Sequence, residues 1–139
     1  MILVIRISGM VDVPEKIENA LYRLRLRRKY AAVILEDNMN NRMLLRKIRD
    51  YIAYGDVSKD VLEKIVLMRG KALNKESKID AKKIVDDVEK KGMLKSGLKP
   101  YFRLHPPRGG IESKKHAGIK NGVLGDNKEK INDLVLRML

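Results

Sequence analysis

Ile2-Leu3-Val4-Ile5-Arg6-Ile7 is a run of apolar, mostly β-branched residues interrupted by one arginine. Such a run reads as a strand buried on at least one face. The chain after it reads as a helix start at Asp12-Val13-Pro14-Glu15: Asp12 is placed to cap free amides, Pro14 suits a first turn, and Glu15 stands three residues on. Ile17, Leu21 and Leu24 then recur at i, i+4, i+7 and form one apolar helical face. Ala31 to Leu35 reads as a second strand, and Glu36 to Asn41 as a polar loop. Asn40 or Asn41 is placed to cap a second helix reaching about Asp50, and Tyr51 to Tyr54 is a third strand closed by Gly55. This alternation predicts a small α+β core of β-α-β-α-β type over residues 1–56, with two helices on one face of the sheet.

Beyond the core the pattern turns helical. Ser58 is placed to cap a helix carrying Val61, Leu62, Ile65, Val66 and Met68, with Gly70 past its end. A polar connector from Lys71 to Lys78 leads to a fourth helix that opens at Asp80, turns Ile84, Val85 and Val88 inward and stops at Gly92. Residues 57–98 are therefore expected to be a helical extension. Asp126 and Glu129 form another capping-box pattern, before a last helix with Ile131, Leu134, Val135 and Met138 on one side. Residues 126–139 are expected to pack back on the domain. Between them, residues 99–125 show neither helical nor strand period, and hold five of the ten glycines and three of the four prolines. A stretch that long without structure of its own is usually functional or disordered. It reads as an extended basic arm.

Composition narrows the partner. The 139 residues suffice for one core, which must be aliphatic because there is no Trp and a single Phe. The net charge is +13, an excess that a fold does not need and that repels itself. Nucleic acid or an anionic membrane would neutralise it. No apolar run approaches the roughly 20 residues of a membrane span. Ile2 to Ile7 is too short for a signal peptide's apolar region and no basic segment precedes it. The lack of Cys excludes disulfides and thiolate ligands and fits a reducing cytosol. Nucleic acid is the expected partner, and no membrane or small-molecule substrate is expected.

The charge is confined to three places. Arg23, Arg25, Arg27, Arg28 and Lys29 give +5 with no acid; Arg42, Arg46, Lys47 and Arg49 give +4 with no acid; the arm, with Lys99, Arg103, Arg108, Lys114, Lys115 and Lys120 against Glu112, gives +5. The rest of the chain is close to neutral. A solvated face usually mixes signs, as Lys82 to Lys91 does. Arg42, Arg46 and Arg49 fall at i, i+4, i+7, one helical stripe that can lie along a phosphate backbone. The first cluster straddles a helix end, where cations also favour the helix dipole, so part of it has a structural reading.

The arm centres on Arg103-Leu104-His105-Pro106-Pro107-Arg108-Gly109-Gly110. Paired prolines stiffen the chain, Gly109 and Gly110 let backbone amides approach a phosphate, and the flanking arginines offer forked contacts. Tyr101 and Phe102 either stack on an unpaired base or pin the arm to its own domain; the second is the commoner use of such rings. His105, His116, Lys114, Lys115 and Lys120 complete the candidate RNA contacts.

Four pieces of sequence, in this order, carry a resemblance: Leu24-Arg25-Leu26-Arg27-Arg28, Lys47-Ile48-Arg49-Asp50-Tyr51-Ile52-Ala53-Tyr54-Gly55, Met68-Arg69-Gly70, and Arg103 to Gly110. Together they resemble the universal large-subunit ribosomal protein L-thirty family in its archaeal long form, a relative of the eukaryotic large-subunit protein numbered seven. Residues 71–100 contribute little to it. The resemblance implies a somewhat ferredoxin-like core, contact with large-subunit (23S) rRNA and neighbouring ribosomal proteins, residence in the cytoplasmic ribosome, and no catalytic role.

Other functions find little support. Gly122-Val123-Leu124-Gly125 has the clamp spacing of KH domains but lacks their flanking elements. There is no phosphate-binding Gly-x-x-x-x-Gly-Lys-Ser/Thr loop and no nucleophile elbow. With two histidines, no cysteine and no clustered carboxylates, neither a metal, a cofactor nor a catalytic residue is expected, and Glu36-Asp37 and Asp86-Asp87 read as a loop and a helix face. A general nucleic-acid-binding or RNA-chaperone module is the alternative to a structural rRNA-binding protein; an RNA-modifying enzyme lacks the necessary groups.

Overall fold

β1 (Ile2–Arg6) lies inside a sheet, flanked by β2 (Ala31–Leu35) and β3 (Ile52–Asp56), and runs antiparallel to both. β2 and β3 are therefore parallel to each other with β1 between them, and α2 (Met39–Lys47) makes the crossover. The computed structural model describes residues 1–73, 80–93, 96–119 and 121–139. Its remaining elements are α1 (Glu15–Arg23), α3 (Lys59–Arg69), α4 (Ala81–Lys91), β4 (Phe102–Arg103), β5 (Ser113–His116), β6 (Gly122–Asp126) and α5 (Ile131–Met138), which a 3-10 turn at Lys128–Lys130 precedes. The six strands lie in the order β4-β2-β1-β3-β6-β5, so the fold is α+β. The connector read at Lys71–Lys78 lies largely outside the described residues.

The continuous apolar run of β1 has a direct cause, because both faces of the sheet are covered. Ile2 and Val4 pack with Leu21, Leu26, Leu45 and Ile48 of the α1 and α2 region. Leu3, Ile5 and Ile7 pack with Val61, Leu62, Ile65 and Val66 of α3, Val85 and Val88 of α4, and Ile131, Leu134, Val135 and Met138 of α5. The two helices expected on one face are there. Three more helices, α3, α4 and α5, from beyond the core segment cover the other. Gly55 lies where the 3-10 turn crosses β3: a Cβ there would stand 2.2 Å from the Lys128 carbonyl oxygen. Asn132 of α5 closes this side, accepting from the Ser58 amide at 3.1 Å and donating to the Asp56 carbonyl at 3.1 Å.

Several expectations are corrected. Asp12 does not cap α1; it takes φ 57° in the preceding turn, and Pro14 holds the N-cap position with no side-chain cap bond. α2 starts at Met39, ahead of Asn40 and Asn41, and ends at Lys47, so Arg49 lies in the turn before β3 and off the helix. Residues 99–125 showed no strand period, yet they supply β4, β5 and β6. These strands are too short or too glycine-rich for alternation to show. β4 pairs with β2 through only Ala31↔Arg103 and Ala32↔Phe102, and β6 runs parallel to β3.

Candidate nucleic-acid interface

The five cations at 23–29 project from the end of α1, and the chain there is tightly set. The Leu26 amide donates to the Leu21 carbonyl at 2.9 Å and the Arg25 amide to the Tyr22 carbonyl at 2.9 Å. That is the pattern of a Schellman helix end, with Leu26 and Leu21 in apolar contact across it. Arg25 occupies the left-handed position, φ 62°, where glycine is the favoured residue. Behind the turn lies Arg6, whose side chain is buried within the apolar strand. It donates to the Leu26 carbonyl at 2.8 Å, the Gly9 carbonyl at 2.7 Å and the Ser8 carbonyl at 3.2 Å. Burial lowers its pKa from the usual arginine value. An arginine stays protonated nonetheless, and its fork satisfies three carbonyls at once. The Arg6 carbonyl also accepts from the Tyr30 amide at 2.7 Å, fixing the other end of the turn.

β4 brings the arm's first arginine to this turn. Tyr22, Arg23, Arg25, Arg27, Arg28, Ala31, Tyr101 and Arg103 line one groove of about 490 Å³. No acidic side chain lines it, and among the described residues Arg23, Arg25, Arg28 and Arg103 make no ion pair. Arg27 sits 5.5 Å over the Tyr22 ring, and Lys29, just outside the groove, 4.9 Å over the Tyr30 ring. A smaller cleft of about 160 Å³, lined by Met68, Arg69, Gly70 and Lys71, shares Tyr101 and Arg103 with the groove. Of the two arm aromatics, Phe102 is buried among the residues of α3 and α5. Tyr101 is half-buried with its ring in the groove wall.

The second cluster differs. The Arg42 guanidinium makes a forked pair with Asp37, the second bond at 2.6 Å, and reaches Asp56 at 4.0 Å. The bond from Arg42 holds the Asp37 carboxyl below the usual carboxylate range, and Asp37 raises the pKa of Arg42. Arg49 lies 3.8 Å from Asp50. Arg46 is exposed beside them, and burial, then Asp126, pushes the Tyr54 phenol up.

The rest of the arm divides. The His105 and Arg108 amides donate to the Met138 and Arg137 carbonyls at 2.9 and 2.8 Å, so the proline hinge closes the end of α5 while both side chains stay exposed. Gly109 and Gly110 form an exposed turn at φ 77° and 73°, conformations that side chains resist. Lys114 and Lys115 stand exposed on β5, at the opposite edge of the sheet from Arg103. Five strand spacings put the two edges roughly 24 Å apart. His116, partly exposed, has Nε2 3.0 Å from the Asp50 carboxylate. Lys120 lies outside the described residues.

Residues 2–52 match the model of the family described as Ribosomal protein L30p/L7e. Beyond that segment, the chain is 38% identical to the large ribosomal subunit protein uL30 of Aeropyrum pernix over 98% of this chain and 97% of that one. It is 36% identical to the uL30 proteins of Archaeoglobus fulgidus, over 99% of both chains, and of Methanobrevibacter smithii, over the whole of both. The chain belongs to the uL30 family. The match over residues 2–52 takes in β1, α1, β2 and α2, hence the Schellman turn and four of the five groove arginines, whereas Arg103 comes from the part that only the full-length uL30 relatives share.

Sequence reasoning missed three contributors to the groove of this uL30 chain. Arg6 was visible as a lone charge in an apolar strand. Tyr22 was given no reading, and Arg69 belonged to a recognised piece to which no contact was assigned. Arg69 and Lys71 line the smaller cleft, which shares Tyr101 and Arg103 with the groove because α3 ends beside β4.

Proposed function

We infer that the chain is a structural constituent of the large ribosomal subunit, in the cytoplasm, binding rRNA and neighbouring ribosomal proteins and carrying no enzyme activity. Its membership of the uL30 family supports that assignment. Among the described residues no helix is long and apolar enough to cross a membrane. One observation carries the RNA-binding site: Arg23, Arg25, Arg27 and Arg28 meet Arg103, from the far end of the chain, in a groove without an acid. Uncompensated guanidinium groups held together repel one another, and a phosphate backbone relieves that repulsion with forked hydrogen bonds. In this reading residues 1–56 present the groove, 57–98 and 126–139 cover the reverse of the sheet, and 99–125 adds Arg103, His105, Arg108, Gly109, Gly110 and the lysines at the other edge. Lys29, Arg46, Arg49 and His116 take peripheral places, and Arg42 a largely structural one.

Binding to large-subunit rRNA is tested by titration across salt. Log affinity is expected to fall linearly with log salt, at roughly 0.7–0.9 per phosphate neutralised. Sedimentation free of large-subunit particles at low salt would overturn the assignment. Equal affinity for random duplex DNA would favour a general nucleic-acid module instead.

A further inference from the structure

The groove is more than a basic patch. It is a half-open concavity of about 490 Å³. Two of its eight lining residues are tyrosines, Tyr22 from α1 and Tyr101 from the approach to β4. Lysines and arginines spread over a convex surface follow a duplex backbone by its phosphates. A cleft with ring walls and guanidinium groups matches a different object, a base out of its stack together with its own phosphate. We propose that this groove is a subsite for a single unpaired RNA nucleotide, its base against Tyr22 and its phosphates held by Arg25, Arg28 and Arg103.

The placement of each group fits that use. Tyr22 is 43% exposed, and a ring on the last turn of a helix gains nothing from exposure unless something covers it. Arg27 lies over that ring at 5.5 Å, a spacing from the centroid at which cation and ring attract; its planar guanidinium can stack on a base as well. Tyr101 is packed against the α1 and α2 side of the core and forms a fixed wall. Arg25 is held in the left-handed conformation by two backbone hydrogen bonds, which removes the main-chain freedom that ordering on RNA would otherwise cost. The smaller cleft, with Arg69 and Lys71, shares Tyr101 and Arg103 with the groove and so extends its basic lining. Stacking on aromatic rings is tolerant of base identity, so the subsite selects an unpaired nucleotide over a paired one and not one base over another.

This rests on the RNA-binding reading, and the experiment separates the two. The full chain is titrated with large-subunit rRNA, and the bound rRNA is probed base by base with dimethyl sulfate. The wild type is expected to protect one unpaired adenine or cytosine, or to show a Tyr22 adduct on an unpaired uridine or guanosine after ultraviolet crosslinking. Tyr22→Leu, which removes an exposed ring, is expected to abolish that protection or adduct and weaken binding about tenfold, while the slope of affinity against salt stays the same. Tyr101→Leu serves as the second variant, read only if its melt is unchanged. Full binding with no base protected and no adduct, or with either one unaffected by Tyr22→Leu, would overturn the subsite and leave RNA binding standing. No binding by the wild type would overturn both.

Discussion

The arginine clusters at 23–29 and 42–49 look alike in sequence: each is basic, acid-free and next to a helix of the core. Folding makes them opposites. The first makes no ion pair among the described residues, because its turn is closed by backbone bonds and by Arg6 from behind, leaving every guanidinium exposed. The second is met by the acids that flank it in the chain, Asp37 on Arg42 and Asp50 beside Arg49, and by Asp56 from the end of β3. Local charge counted along a sequence is thus a poor guide to the field at a surface. What decides is which acids the topology returns to the site, and β3 returns Asp56 to α2 whereas β4 returns Arg103 to α1.

The largest expected effect comes from removing the support behind the first cluster. Arg6→Met leaves the carbonyls of Leu26, Ser8 and Gly9 without their donor and should destabilise the fold by about 2–4 kcal/mol, seen as a melt lowered by roughly 10 °C. The Arg42–Asp37 pair, on a different helix, should survive it, with its Nε resonance unmoved. Next, Arg23→Ala with Arg28→Ala should weaken rRNA binding on the order of 10- to 100-fold and flatten the salt dependence, leaving the melt nearly unchanged. Arg46→Ala with Arg49→Ala should weaken it less than about threefold. Equal losses from the two pairs would erase the distinction between the clusters.

A subtler separation comes from Arg25→Gly. Glycine suits the left-handed position, so the variant should gain about 0.5–1 kcal/mol of stability in a chemical melt while binding rRNA several-fold more weakly. A variant that is both more stable and equally tight would mean that this arginine touches nothing. The smallest effect is on the second cluster itself. Asp37 has a carboxyl pKa below its usual value, so the contribution of its pair with Arg42 is present above about pH 4 and is lost as pH falls through the lowered value. Acid titration by NMR should show the Arg42 Nε signal shifting only below about pH 4, later than ordinary carboxylates. A midpoint at the ordinary aspartate value, about 4, would mean that the pair does not persist in solution.

The sequence disclosed the helices and the first three strands because those elements are long enough to be read: Ala31–Leu35 and the inward face of α5 are where they were expected. It hid the remaining strands. A two-residue strand has no alternation, and Gly122-Val123-Leu124-Gly125 looks like loop until a neighbouring strand supplies its hydrogen bonds. The coverage of the sheet's second face was hidden for a related reason: an uninterrupted apolar strand says that both faces are buried but not by what. The groove was half legible. Four of its arginines stood together in the chain, but their convergence with Arg103, Tyr101 and Arg69 depends on strand order, which pairs Ala31 with Arg103 across more than half the chain.

The central place of β1 also has a consequence in time. It is made before every element that flanks or covers it, and those are scattered down to Met138. At the roughly 5–20 residues per second of protein synthesis, Ile2 to Ile7 must wait on the order of ten seconds before the last helix can shield them. For that interval the nascent chain carries an exposed, strongly sheet-forming segment, and a cell making this protein has to keep that segment from pairing with the wrong neighbour until the final turn of α5 emerges.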